Sequence, residues 1–332
     1  MSPKRILRAI AVILLLAALQ WLFSLPQTIS PYAVRILNLC CISIMLAVSL
    51  NIINGYAGQF SLGHAGFYGA GAYASAAFSV YAGPAFLRVF SATPGWLSDG
   101  VLLVLAVATA ALTAAVAGLI VGIPSLRLKG DYLAIATLGF GEMIRVAVTN
   151  IDAVGGSRGF TVKYTLASFF WIALFTVGCV WISRNLLNSR EGRALQAIRD
   201  DEVAASVVGI DVTRSKVTAF VLSAALAGCA GALYAHYDGF IKPESFRFER
   251  SIEIVIMVVI GGLGSTTGAV FAAVVLTVLP ETLRQFEDYR MVLYSALLVI
   301  CMLVRPQGML GTKEFTLHTL VSRRKENKGG LT

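Results

Sequence analysis

The chain has 332 residues, of which 57% are hydrophobic and only 14% charged, with a mean hydropathy of +0.77. A soluble domain carries about 25% charged residues to cover its wetted surface, so this composition excludes an ordinary soluble fold and makes lipid the solvent for most of the exterior. The net charge of +9 does not mark a nucleic-acid binder, because the basic residues lie in short loops between apolar runs and the aromatics fall within those runs.

A helix needs roughly 20 apolar residues to cross the hydrocarbon core. The first candidate is 6–25, behind Lys4, Arg5 and Arg8. It has the outline of a signal peptide, but no small-residue cleavage site follows, so it reads as a retained first span. The next, 33–53, runs into Asn54-Gly55-Tyr56-Ala57-Gly58-Gln59-Phe60-Ser61-Leu62-Gly63-His64-Ala65-Gly66, and a Gly- and Ala-rich span follows over 60–82. Bare backbone at membrane depth is tolerated only where it is buried in protein or lines a water-filled cavity, and interrupted spans point to a transport pathway. Asn51, Asn54, Gln59, Ser61, His64 and Gly66 are therefore candidate pathway residues. The competing readings are that the glycines only pack helices closely, that the polar side chains cap broken helix ends, and that His64 is a satisfied packing residue.

Span 99–123 leads to basic Arg127 and Lys129, and span 132–149 carries Glu142 and Arg145. These two are three residues apart, so a helix places them on one face where they neutralise each other; a structural ion pair near the outer boundary is favoured over a substrate contact. Span 165–183 precedes the longest loop, 184–215, and spans 216–238, 252–263, 266–282 and 291–304 complete the set. Span 252–263 is too short to cross alone, and Gly261-Gly262-Leu263-Gly264-Ser265-Thr266-Thr267-Gly268 breaks the run, which adds Gly261, Gly262 and Gly264 to the candidate pathway. With this break counted, most of the 27 Lys and Arg residues fall on one side, including those of the tail. Both termini are then cytoplasmic, and 83–98, 150–164, 239–251 and 283–290 face outward.

Within 184–215 the stretch 200–209 has the marks of a short helix. Asp200 or Asp201 can cap its amides, Glu202 complements the dipole, and Gly209 supplies a left-handed terminator. Between them lie Val203, Ala204, Ala205, Val207 and Val208. Two turns of helix are unstable alone in water, so this apolar surface implies a partner's groove or, alternatively, a resting place on lipid headgroups.

The loop resembles the coupling loop of ABC importer permeases through Glu202, Ala204, Ala205 and Gly209, with Arg199 and Asp201 beside them. Asn51 to Tyr73, Gly130-Asp131-Tyr132-Leu133-Ala134-Ile135-Ala136-Thr137-Leu138-Gly139 and Arg305-Pro306-Gln307-Gly308-Met309-Leu310-Gly311 are similar to the LivM-type permease of the branched-chain amino acid ABC transporter family. Gly155-Gly156-Ser157-Arg158-Gly159-Phe160 departs from that pattern in being more basic. The resemblance implies an all-α polytopic membrane protein of about ten transmembrane segments, some broken or short. It divides into a permease domain over 1–311 and a basic cytoplasmic tail over 312–332. It further implies a bacterial inner membrane, import of leucine, isoleucine and valine, and a second homologous permease subunit. Two ATP-binding subunits and an extracytoplasmic substrate-binding protein complete the set.

No G-x-x-x-x-G-K-[ST] occurs in the chain, so ATP hydrolysis is expected in a separate subunit. No cofactor or metal is expected, since the five cysteines lack ligand spacing and read as small hydrophobes. Urea, amides and aromatic acids remain alternative cargoes. Two other classes compete: an ion-coupled secondary transporter, for which Glu142 is the good intramembrane carboxylate, and a membrane enzyme, for which His64, His236 and His318 show no shared spacing with acids or cysteines.

Overall fold

The computed structural model describes residues 30–89, 95–125 and 130–283, with Leu128 and five residues between 15 and 20. The expected span 291–304, the basic tail and nearly all of span 6–25 lie outside the described residues. Those that are described form an almost wholly helical bundle. Its helices are α1 (Pro31–Asn51), α2 (His64–Tyr81), α3 (Gly83–Val89), α4 (Gly95–Ser125), α5 (Asp131–Thr149), α6 (Phe169–Leu187), α7 (Arg190–Asp200), α8 (Glu202–Val207), α9 (Val212–Asp238), α10 (Phe248–Gly261) and α11 (Thr266–Thr282). Among the described residues five segments are long and apolar enough to cross a membrane: Pro31–Tyr56, Leu97–Ser125, Asp131–Thr149, Phe169–Leu187 and Val212–Asp238.

The centre of the bundle is built from small residues on α2, α4 and α9. A Cβ on Gly71 would lie 2.4 Å from the Cα of Gly228, and one on Gly231 would lie 2.1 Å from the carbonyl oxygen of Tyr68. The backbones touch because no side chains intervene. In lipid this is the available route to tight packing, since apolar side chains gain nothing by leaving hydrocarbon for protein. The large side chains turn outward instead: Leu112 and Ile120 on α4 and Tyr132 and Ile135 on α5 are exposed, as a lipid-facing surface requires.

Two contacts gather three of the expected outward loops, 83–98, 150–164 and 239–251, at one end, while the fourth, 283–290, lies almost wholly outside the described residues. The Tyr81 hydroxyl donates to the Ala153 carbonyl, and Phe160–Thr161 pairs antiparallel with Phe240–Ile241 in the register Phe160 opposite Ile241. Helices α7 and α8 belong to the loop expected on the opposite side.

Several expected boundaries move; the helices over spans 99–123, 216–238 and 252–263 each begin four residues early, at Gly95, Val212 and Phe248. Span 60–82 begins as helix only at His64, because Gly58 is left-handed (φ +64°) and the strip 57–63 is held in a non-helical course by side-chain bonds described below. Span 165–183 lies four residues later, at Phe169–Leu187, with extended Ser168 at its N-cap and Arg184 in its last turn, where a cation suits the negative end of the helix dipole. The loop 184–215 contains two helices where one short helix was expected. Helix α7 was the one missed. Its signals were Ser189, whose hydroxyl accepts from the Gly192 amide at 3.1 Å, and the three-residue spacing of Gly192, Leu195 and Ile198, all buried.

Candidate translocation and coupling site

The first chain break begins where α1 widens into a π turn over Ile52–Tyr56. Single π turns inside helices commonly mark functional positions. The amide of Gln59 returns to the Ile53 carbonyl at 3.0 Å, and the chain then runs without regular structure to Gly63. Asn54 brackets this strip, accepting from the Ser61 amide at 3.1 Å and donating to the Ser61 carbonyl at 3.5 Å. The Leu62 amide donates to Thr137 Oγ1 on α5 at 3.0 Å, and the Ala65 amide to Ser251 Oγ on α10 at 2.9 Å. Asn54 thus braces the loop between the helices rather than capping either end, since Gly63 stands at the N-cap of α2 with no side-chain bond.

His64 opens α2 fully buried, with Nε2 2.8 Å from Ser49 Oγ. Ser49 Oγ already donates to the Leu46 carbonyl at 2.9 Å, so its single proton is committed and His64 Nε2 is the donor of the pair. One ring nitrogen is thus bonded within the chain, while Nδ1 has no partner. Gly66 is a packing glycine: a Cβ there would lie 2.7 Å from the Cα of Gly141 on α5.

The second break separates α10 from α11. Gly262 and Gly264 have φ of +105° and +82°, and Ser265 caps α11 by accepting from the Gly268 amide at 3.1 Å. Gly261 faces Gly268 so closely that a Cβ on Gly261 would lie 2.6 Å from the Gly268 carbonyl carbon and oxygen.

The two breaks form one junction. Asn51 Oδ1 accepts from the Gly264 amide at 2.9 Å, and the Tyr56 hydroxyl lies 2.5 Å from Thr266 Oγ1. A Cβ on Gly55 would sit 2.4 Å from the Gly264 nitrogen, so the approach requires a residue without one. Around the first break, Asn51 Nδ2, Gln59 Oε1, Ser61 Oγ and His64 Nδ1 are buried without a hydrogen-bond partner. Buried polar atoms left unpaired are uncommon and call for an explanation.

Beside the junction stands the helix pair α7–α8. Asp201, in extended conformation, caps α8 with Oδ1 accepting from the Val203 and Ala204 amides at 2.9 and 3.0 Å. Gly209, with φ +90°, ends the helix. Its amide bonds the Ser206 carbonyl at 3.0 Å while Ile210 bonds Ala205 at 3.1 Å, the paired closure of a Schellman turn. Glu202 reaches Lys216 of α9 at 2.9 Å and fixes the rotation of α8.

That rotation corrects two expectations. Ala205 is turned into the chain and only 4% exposed, while Val203, Val207 and Val208 are 70%, 81% and 82% exposed. Successive helical residues advance about 100°, so position 205 faces away from both 203 and 207. The outward apolar surface is therefore valine, with Ala204 beside it. Arg199, expected on a partner, is folded onto its own chain: Nη1 donates to the Gly55 carbonyl at 3.2 Å, and Nε and Nη2 each lie 3.2 Å from Asp200 Oδ1. A cavity of about 410 Å³ between Asn188, Arg193, Gln196, Arg199, Leu263 and Gly264 opens next to this contact.

On α5 the expected ion pair forms, Arg145 Nε to Glu142 Oε2 at 2.7 Å. Glu142 lies two positions past residue 140, the middle of Asp131–Thr149, rather than near a helix end. Among the described residues no group of three His, Cys, Asp or Glu side chains is placed to hold a metal ion.

Residues 32–302 match the family described as branched-chain amino acid transport system / permease component. The chain is 36% identical to the high-affinity branched-chain amino acid transport system permease protein LivM of Escherichia coli K12, over 93% of this chain and 78% of that protein. It is likewise 36% identical to LivM of Salmonella typhimurium, over 90% and 73%. A second permease of Salmonella typhimurium, LivH, is 32% identical over 48% of this chain and 53% of its own length. No solved structure matches.

Proposed function

The chain belongs to the family of branched-chain amino acid transport permease components, and from that premise we propose how this membrane-spanning subunit of an ABC importer conducts its cargo and receives its drive. Leucine, isoleucine and valine pass along a route bordered by the junction of the two chain breaks. Helix α8 seats its valines in a groove of a separate ATP-hydrolysing subunit on the cytoplasmic side.

The observation that carries the coupling role is the exposure of Val203, Val207 and Val208 on a six-residue helix capped at both ends. So short a helix gains stability by burial rather than propensity, and the chain itself buries only its Ala205 side. Charged neighbours such as Arg190, Arg193, Asp200 and Asp211 favour water or a polar rim around this surface. A route at the junction is supported by the irregular backbone there and by the four unpaired polar atoms, which a passing solute or water would satisfy.

The further components are two ATP-binding subunits, an extracytoplasmic binding protein that selects the cargo, and a second permease. Similarity of one chain to both LivM and LivH of a single organism supports pairing of two related permeases. The decisive experiment is uptake by proteoliposomes holding the complete complex, given labelled leucine, isoleucine, valine, urea, an amide and an aromatic acid. Branched-chain uptake that requires ATP and persists after collapse of the proton gradient is expected. Uptake driven by the gradient without ATP would assign the chain to secondary transport.

A further inference from the structure

One arginine joins the coupling helices to the first chain break at the point where the second break approaches it. Arg199 is the penultimate residue of α7, two positions before Asp201, the cap of α8. Its stem crosses Gly58, where a Cβ would lie 2.6 Å from Arg199 Cγ. Its Nη1 reaches the Gly55 carbonyl at 3.2 Å and lies 3.1 Å from where a Cβ on Gly264 would stand. Asp200 holds the opposite edge of the guanidinium, so the planar fork is oriented toward the junction.

Gly55 is where a cation has most effect. It sits in the last turn of the continuous segment Pro31–Tyr56, and the Gln59 amide, which an α-helix would direct to it, bonds Ile53 instead. The carbonyls at a helix C-terminus are its negative pole and lack intrahelical donors. Arg199 supplies both a donor and a positive charge to that pole, from a different element 144 positions away. Asn51, one turn before Gly55, ties the same pole to Gly264, so whatever displaces the guanidinium releases the carbonyl end of the turn that meets the second break.

We propose that Arg199 is the positioning residue through which movement of α7–α8 reaches the permeation route. Seated, it holds the end of the α1 segment against the α10–α11 break; withdrawn with α7, it frees both. The link rests on the reading of α8 as an ATPase-docking helix. Lysine is a poor substitute, since one ammonium cannot bond Gly55 and Asp200 with the planar geometry of the fork.

The test uses the complete transporter in proteoliposomes, with ATP hydrolysis and leucine uptake measured on the same sample. Arg199→Met keeps the stem and removes the charge. The variant is expected to hold its ATPase and hydrolyse ATP within about twofold of wild type, while uptake per ATP falls about tenfold or more. Arg199→Lys should fall between. In a cysteine-free background, Leu263→Cys beside the cavity is expected to change its thiol-labelling rate on ATP binding when Arg199 is present and not in Arg199→Met. An unchanged uptake-to-hydrolysis ratio, a parallel fall of both activities, or ATP-responsive labelling without Arg199 overturns the link. If Arg199→Met does not assemble, an unchanged ratio in Arg199→Lys overturns it equally. Failure of the wild-type chain to retain any ATPase instead overturns the docking reading, and the link with it.

Discussion

Asn51 Oδ1 accepts the amide hydrogen of Gly264 at 2.9 Å, although 213 positions of sequence separate the two residues. One side-chain oxygen thereby closes a left-handed turn in one interrupted segment against the end of another. Asn51→Leu leaves the part-buried Gly264 amide without its partner, a defect that costs about 1 kcal/mol. The variant is expected to insert normally, melt at a lower temperature in detergent, and take up less leucine. Wild-type melting and uptake would show that the amide finds another partner.

Gly55 and Gly264 impose a stricter demand than Gly66. Gly264→Leu places a branched side chain at φ +82°, a conformation costing about 1–2 kcal/mol outside glycine. Gly55→Ala puts a methyl group 2.4 Å from the Gly264 nitrogen, so the two breaks must part. Both variants should reach the membrane in near-normal amount and lose most uptake. Gly66→Leu acts at the α2–α5 contact, and its expected signature is lower stability together with any loss of uptake. Full transport by Gly55→Ala and Gly264→Leu would reduce the junction to replaceable packing.

The rotation of α8 separates two substitutions that the sequence treats alike. Val207→Asp places a carboxylate on the outward surface. It should abolish co-purification with the ATPase while leaving the melting temperature of the isolated permease nearly unchanged, because position 207 is 81% exposed. Ala205→Asp buries an unpaired charge within the chain, at a cost of several kcal/mol, and should destabilise the permease itself. The reverse pattern in a pull-down and a melting assay would mean that Ala205, not valine, meets the partner.

Gly209→Val tests the end of the same helix. Nothing crowds a Cβ at this position, so the penalty comes from its φ of +90° alone, which a β-branched side chain tolerates poorly. A several-fold loss of ATPase-coupled uptake is expected, with Gly209→Asn retaining more because asparagine enters the left-handed region more readily. Equal uptake by the valine variant and wild type would show that α8 does not need this closure.

The expected sidedness is open to a direct test. In a cysteine-free background, single cysteines at Ser157 and Glu244 should react with an impermeant thiol reagent added outside intact cells, and one at Val207 should react only after lysis. Labelling of Val207→Cys in intact cells would reverse the orientation.

Much of the site was legible because its signals are local. Asp201 accepts from amides two and three residues on and Gly209 turns the chain at its own position, so their residue types announce a cap and a turn wherever they stand. The glycine runs announced that helices would break at both places, and the three-residue spacing of Glu142 and Arg145 announced their pairing. What was misread depended on rotation and reach. Nothing within 202–209 says which side packs inward until Glu202 meets Lys216 on α9, and Arg199 is as plausible on a partner as on Gly55 until α7 is set beside the π turn.

The sequence by itself determined that lipid surrounds this chain, roughly where most of its spans lie, and that two of its segments are interrupted, because hydropathy and backbone preference act residue by residue. Only the tertiary structure decided that the two interruptions meet, that Ala205 turns inward while its valine neighbours turn out, and that Arg199 spans the gap. Those are relations between elements far apart in sequence, set by close approach of glycine backbones and by hydrogen bonds formed once the helices are packed.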